Sequence, residues 1–247
     1  MTEHSPYLAV RRQAPENRSG APVILIHGLM SSGERDFPDA RWAKALTDAG
    51  REVAIVDLPG HGGSARVEDN QGGRPSKVAA ALADLVAELG SPVDIVGYSA
   101  GARMAWAFAA QKPDLVNKLV LGGLAPFEPF ATFDFKTARA HADGGPAPTD
   151  PQTGMITGMV VGNSPDPHST FNFMEGLAVE PFDPAAEAPV APTLLAGGAD
   201  DPMAGNIEVL VPHIAGSRAI SVPGDHFGAL GSDEFRAEAL AFLGVNA

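Results

Sequence analysis

The chain contains no cysteine. Disulfides, thiolate metal sites and a cysteine nucleophile are therefore excluded. Positive charge is scarce: 17 lysine and arginine residues stand against 30 aspartates and glutamates, a formal net charge of −13. A surface this acidic repels phosphate backbones and anionic membranes, so neither nucleic acid nor membrane is expected as a partner. No apolar run approaches the ~20 residues needed to span a bilayer. The opening stretch Met1-Thr2-Glu3-His4-Ser5-Pro6 has neither the basic patch nor the apolar core of a secretion signal. A cytoplasmic protein is expected. Lysine is rare beside arginine, alanine and proline, which points to a GC-rich bacterial genome.

What is present fits a globular enzyme-sized chain. Its 247 residues suit one sizeable domain carrying an inserted subdomain. Apolar β-branched runs recur: Ala21 to Ile26, Glu52 to Val56, Val93 to Val96, Lys118 to Leu121, Pro192 to Ala196 and Arg218 to Val222. Such runs read as strands buried on both faces. Helical patterns lie between them at Trp42 to Ala49, Pro75 to Leu89, Ala100 to Gln111, Ala204 to Ile214 and Asp233 to Leu243. In the second of these, Val78, Leu82, Leu85, Val86 and Leu89 share one face, and Gly90 stops the helix. Tyr7 to Val10 suggests a short edge strand. The alternation predicts an α/β fold, a mostly parallel central sheet with helices on both faces. It breaks between Pro126 and Pro184, where prolines, glycines and phenylalanines cluster without clean periodicity. Residues 1–125 and 185–247 are thus read as one core domain and 126–184 as an insertion.

Gly97-Tyr98-Ser99-Ala100-Gly101 lies between a predicted strand and a predicted helix. That context forces a sharp turn and lifts the Ser99 hydroxyl clear of the sheet, with glycines where helix and strand approach closely. A serine hydroxyl needs a general base, and the base needs a carboxylate to fix its tautomer. Open α/β sheets place such groups at the carboxyl ends of strands. His226 follows the last predicted strand in a glycine-flanked loop, Pro223 to Gly228. Asp200 and Asp201 both follow the strand ending at Ala196. Their side chains diverge, and Asp201 is favoured over Asp200, the other being left to a turn or a helix cap. Two backbone amides are expected to hold an oxyanion: Ala100, at a helix N-terminus, and Leu29, in the loop His27-Gly28-Leu29-Met30. There, Gly28 is expected to adopt an unusual backbone angle. His27 is expected to be structural.

Five pieces together resemble the α/β-hydrolase superfamily, serine-nucleophile branch. They are His27-Gly28-Leu29, Asp57-Leu58-Pro59-Gly60-His61-Gly62-Gly63-Ser64, the Ser99 pentapeptide, Gly198-Ala199-Asp200-Asp201-Pro202 and Gly224-Asp225-His226-Phe227. The order serine, acid, histidine is that of the superfamily. The resemblance implies Asp201, three residues beyond Gly198, as the acid. It also implies that Asp57 to Ser64 is a structural loop, and that 126–184, after the strand ending near Leu121, is the cap. The N-terminal hairpin common in the family looks reduced to little more than Tyr7 to Arg11. Phe127, Phe130, Phe133, Phe135, Phe171, Phe173 and Phe182, with Met155, Met159 and Met174, are candidates for an apolar cleft. About half of them are expected to form only the cap's own core. The expected pocket comprises Met30, Tyr98, Phe127, Phe130, Met155, Met159 and Phe227. His141, Asp166, His168 and Asp183 match no metal-ligand spacing and are read as loop residues. No metal and no cofactor are expected.

The leading functional expectation is hydrolysis of a carboxylic ester or related acyl substrate, small and apolar, through an acyl-enzyme on Ser99. Carbon–carbon bond hydrolysis of a diketone, acyl transfer and perhydrolysis would use the same three residues. A non-catalytic binder of a small apolar ligand is the alternative of another class. The oligomeric state is not legible.

Overall fold

The apolar β-branched runs become the strands of one twisted sheet. The structure is a computed structural model that describes residues 6–245. Met1 to Ser5, most of the stretch read for a secretion signal, lie outside the described residues. Along the chain come β1 (Ala9–Gln13), β2 (Val23–Ile26), the single turn α1 (Gly33–Asp36), α2 (Ala43–Asp48), β3 (Val53–Asp57), α3 (Pro75–Leu89), β4 (Val93–Tyr98), α4 (Ala100–Gln111) and β5 (Val116–Gly122). Then follow α5 (Phe135–Ala142), α6 (Pro151–Asn163), α7 (Pro167–Val179), β6 (Thr193–Gly198), β7 (Arg218–Val222), α8 (His226–Gly231) and α9 (Asp233–Leu243). The described residues form a seven-stranded sheet in the order β1-β3-β2-β4-β5-β6-β7. β1 runs antiparallel to β3 at one edge, and the other pairs are parallel. The expected edge strand therefore exists, shifted to start at Ala9.

Side-chain alternation splits the core into two layers. Ile24 and Ile26 of β2 join α3 and α4 on one face. Val23 and Leu25 join Phe37, Trp42, Leu46 and the α9 residues Phe235, Leu240 and Leu243 on the other. α3 buries the predicted stripe and ends at Gly90, whose φ of 80° and N–H bond to the Val86 carbonyl close the helix. Among the described residues, no helix is long and apolar enough to cross a membrane.

The segment without clean periodicity is helical. α5, α6 and α7 begin at Asp134, Asp150 and Asp166, each of which accepts backbone N–H groups of the first turn. His141 and His168 accordingly lie on α5 and α7, not in loops. Asp183 is in a loop, where it caps the Ala185 and Ala186 amides. The helix expected over 204–214 is a shorter 3-10 stretch, Ile207–His213, with Pro212, which donates no N–H, near its end. The loop after β3 is structural: the Asp57 carboxylate accepts the Gly33 and Gly63 amides, both at 2.8 Å.

Candidate active site

Ser99 occupies the apex between β4 and α4 at φ 53°, ψ −117°. A non-glycine residue in that region costs about 1–3 kcal/mol and persists only where its surroundings enforce it. Here the Ser99 N–H is bonded to the Gly122 carbonyl at 2.8 Å, and close packing does the rest. A Cβ on Gly97 would lie 2.6 Å from the Gly101 oxygen, and one on Gly101 2.1 Å from the Ile26 oxygen. The two glycines of the motif are thus needed for the approach of α4 to β4 and β2.

Ser99, His226 and Asp201 come together although they are far apart in the chain. His226 Nε2 lies 3.0 Å from Ser99 Oγ. His226 Nδ1 lies 2.7 Å from Asp201 Oδ2. The arrangement fits a hydroxyl that donates to Nε2 while Nδ1–H donates to the carboxylate. Asp201 is 4 % exposed, whereas Asp200 is turned out to solvent. Asp201 Oδ1 also accepts the Met203 and Ala204 amides, at 2.9 and 3.2 Å, so one residue is both partner and cap. Burial alone would raise its carboxyl. The hydrogen bond and charge of His226, with those two amides, more than offset that and hold it below the usual carboxylate range. His226 is the first residue of α8, not part of an open loop. Asp225 is that helix's N-cap and faces the Phe227 and Gly228 amides.

The Ala100 amide opens α4 directly after Ser99, and the Leu29 amide lies in the loop after β2. Neither has an acceptor among the described residues. The unusual backbone angle expected of Gly28 belongs instead to Met30, at φ 58°. Gly28 sits in a tight place: a Cβ there would meet Ser99 Cβ at 3.3 Å. His27 is structural. Its Nδ1 bonds the Gly28 carbonyl at 2.6 Å, and its Nε2 accepts the Leu58 N–H at 2.9 Å.

Two lobes meet at Ser99 and His226. A cavity of about 200 Å³ is apolar and includes Met30, Phe127, Phe130, Met155, Met159 and Phe227. Phe127, Met155 and Phe227 are exposed and form its rim. The other lobe is more polar, with Ser31, Arg35, Asp36 and Asn163. Tyr98, expected in the substrate pocket, borders the polar lobe and not the apolar one. It is 3 % exposed, stands behind His226 and donates its hydroxyl to the His226 carbonyl at 2.7 Å. Phe171, Phe173, Phe182 and Met174 are buried packing residues and do not reach the cleft. Among the described residues no three histidine, aspartate or glutamate side chains converge as a metal-ligand set.

Beside the site, His27 and His61 pack with ring centroids 5.4 Å apart and planes tilted by 57°, both buried. Burial, and then the neighbouring His27, pushes the His61 imidazole down to about 4 against its hydrogen bond to the Pro59 carbonyl and the charge of Asp57. Burial lowers His27 in the same direction. The unfolded chain takes up these protons near pH 6.5, while the folded chain stays neutral until well below that. Stability is therefore full above pH 6.5 and falls as pH drops toward 4. Urea unfolding should show a midpoint that declines over this window, less steeply in His61→Gln. A flat midpoint, or an unchanged slope in the variant, would contradict the buried neutral pair.

Residues 21–141 match the family described as alpha/beta hydrolase fold. A pimeloyl-[acyl-carrier protein] methyl ester esterase of Neisseria meningitidis is 42% identical over 99 residues, 40% of this chain and 34% of the esterase. A 2-hydroxy-6-oxononadienedioate/2-hydroxy-6-oxononatrienedioate hydrolase of Pseudomonas putida is 37% identical over 122 residues, 46% of this chain and 42% of that enzyme. These matches span well under half of the length of the curated relatives. The crystal structure of the enol-lactonase from Burkholderia xenovorans superposes with a TM-score of 0.72 at 20% identity, covering 96% of each chain. At that identity the likeness speaks for the fold. Fold, site geometry and the match over residues 21–141 agree on the α/β-hydrolase fold.

Proposed function

We propose that the chain is a serine hydrolase of carboxylic esters with a small apolar acyl group. The observation that carries this reading is the continuous line from Ser99 Oγ through His226 to Asp201, with contacts of 3.0 and 2.7 Å. In the proposed reaction, Ser99 Oγ attacks the ester carbonyl as its proton passes to His226 Nε2. Asp201 keeps Nδ1 protonated and stabilises the imidazolium. The Leu29 and Ala100 amides receive the developing oxyanion, assisted by the N-terminus of α4. His226 then protonates the departing alkoxide. In the second half it takes a proton from water as the water attacks the acyl-enzyme, and returns that proton to Ser99 Oγ as the acid departs. The apolar lobe would take the acyl group. Residues 126–184 would act as the cap, because Phe127, Phe130, Met155 and Met159 wall that lobe.

The similarity to the Pseudomonas putida hydrolase favours a second reading, carbon–carbon cleavage of a diketone at the same serine. Initial rates on p-nitrophenyl esters from acetate to octanoate, beside a chromogenic diketone, separate the two. Ester turnover strongest for short to medium acyl groups is expected. Diketone turnover without ester turnover would favour the second reading. Neither activity in folded protein would overturn both.

A further inference from the structure

A carboxylate outside the Ser99–His226–Asp201 line ties down the loop that carries the Leu29 amide. Asp36 ends α1, is half-buried, and borders the polar lobe. Its Oδ2 accepts the Gly28 N–H at 2.8 Å, and its Oδ1 accepts the Ser31 hydroxyl. These two bonds straddle Leu29 and Met30. Met30 holds the left-handed φ of 58°, which a residue with a side chain keeps only under constraint. On the opposite side, the His27 ring holds the Gly28 carbonyl at 2.6 Å. A trans peptide sets its C=O and its N–H in opposite directions. Fixing the Gly28 carbonyl toward His27 therefore sends the Leu29 N–H away from His27, and Leu29 lines the cavity beside Ser99.

We infer that Asp36 is a positioning residue for the oxyanion hole: by gripping Gly28 and Ser31 it fixes the direction of the Leu29 amide. The inference rests on the reading of Ser99 as the attacking group. Asp36 does not touch the reacting atoms. Burial raises its carboxyl above the usual range, and the Ser31 hydroxyl and the Gly28 amide oppose that in part. The same two partners that the carboxylate organises thus make its half-buried position tolerable.

Loss of a single oxyanion donor costs about 10²–10³ in kcat, so misdirecting one should cost somewhat less. Asp36→Ala is expected to lower kcat on the best p-nitrophenyl ester by about 10–100-fold, with KM within about threefold. A trifluoromethyl ketone, whose adduct oxyanion would use the same amides, should weaken by the same factor. Asp36→Asn keeps an acceptor for the Gly28 N–H and should recover most of the loss. Ser31→Ala, which removes one of the two bonds, should fall between wild type and Asp36→Ala. Hydrogen exchange of the Gly28 amide should quicken in Asp36→Ala and stay slow in Asp36→Asn. That readout needs no turnover, so an inactive wild type would sink the esterase reading while exchange still decides this one. Unchanged kcat or unchanged Gly28 exchange in Asp36→Ala, a loss confined to KM, or Asp36→Asn as damaged as Asp36→Ala would overturn the inference.

Discussion

Replacing Ser99 with alanine is expected to lower kcat/KM for ester hydrolysis by about 10⁴–10⁶-fold and to leave the melting temperature within a few degrees of wild type. The change removes the hydroxyl 3.0 Å from His226 Nε2 and nothing that holds the fold together. Asp201→Asn should cost about 10⁴-fold, because an amide supplies the wrong partner to Nδ1. Asp200→Asn should change the rate less than about twofold, as an exposed surface substitution does. The Ser99→Ala, Asp201→Asn double variant should be no slower than Ser99→Ala alone, since residues acting as one unit are not additive. Steady-state kinetics on purified variants checks all four. Ser99→Ala retaining a tenth of wild-type activity would place the attacking group elsewhere.

Gly101→Val is expected to unfold the protein or remove most of its stability. The first side-chain carbon would lie 2.1 Å from the Ile26 oxygen and 2.5 Å from the His27 oxygen. Both are backbone atoms at the end of β2, so no rotamer change relieves the overlap. Either α4 lifts off the sheet or β2 shifts, and each disrupts the core formed by Ile24, Ile26, Met104 and Trp106. A cost above about 4 kcal/mol is expected, at the extreme end of single substitutions. Gly158→Ala is the control. Gly158 is in the interior of α6 with nothing within 4 Å of the added carbon, so alanine should stabilise by about 0.5–1 kcal/mol through helix propensity. Urea denaturation followed by circular dichroism measures both. A Gly101→Val protein as stable as wild type would mean that helix and strand do not approach as described.

The sheet was legible because its inner strands, β2 to β6, are mostly buried and read as apolar runs. β7, α3, α4 and α9 fall on the residues that the pattern selects. The glycine stop mattered as well: Gly90 ends α3 in the left-handed backbone region. Ser99, Asp201 and His226 could be found since each follows a strand, and the parallel topology delivers strand ends to one edge. The insertion was opaque for a physical reason. α6 buries only Thr153, Thr157 and Val160 and carries Gly154, Gly158 and Gly162, so no apolar stripe marks it. The signal that did exist was at the caps, Asp150-Pro151 and Asp166-Pro167, each an N-cap followed by proline at the first helical position. Tyr98 lines the polar lobe and not the apolar one, because its ring packs against Phe235 and His226. Asp36 had no signal, since a charged residue in a loop is ordinarily solvated. Its role emerges only from the Gly28 amide that it meets across eight residues.

The central claim is that Ser99 is an activated nucleophile. Incubation with a fluorophosphonate at neutral pH, followed by peptide mass spectrometry, tests it most directly. The account predicts one stoichiometric adduct on the peptide carrying Gly97-Tyr98-Ser99-Ala100-Gly101, lost in Ser99→Ala and strongly slowed in His226→Ala. Folded wild type that takes up no label, or labelling that persists in Ser99→Ala, would contradict it.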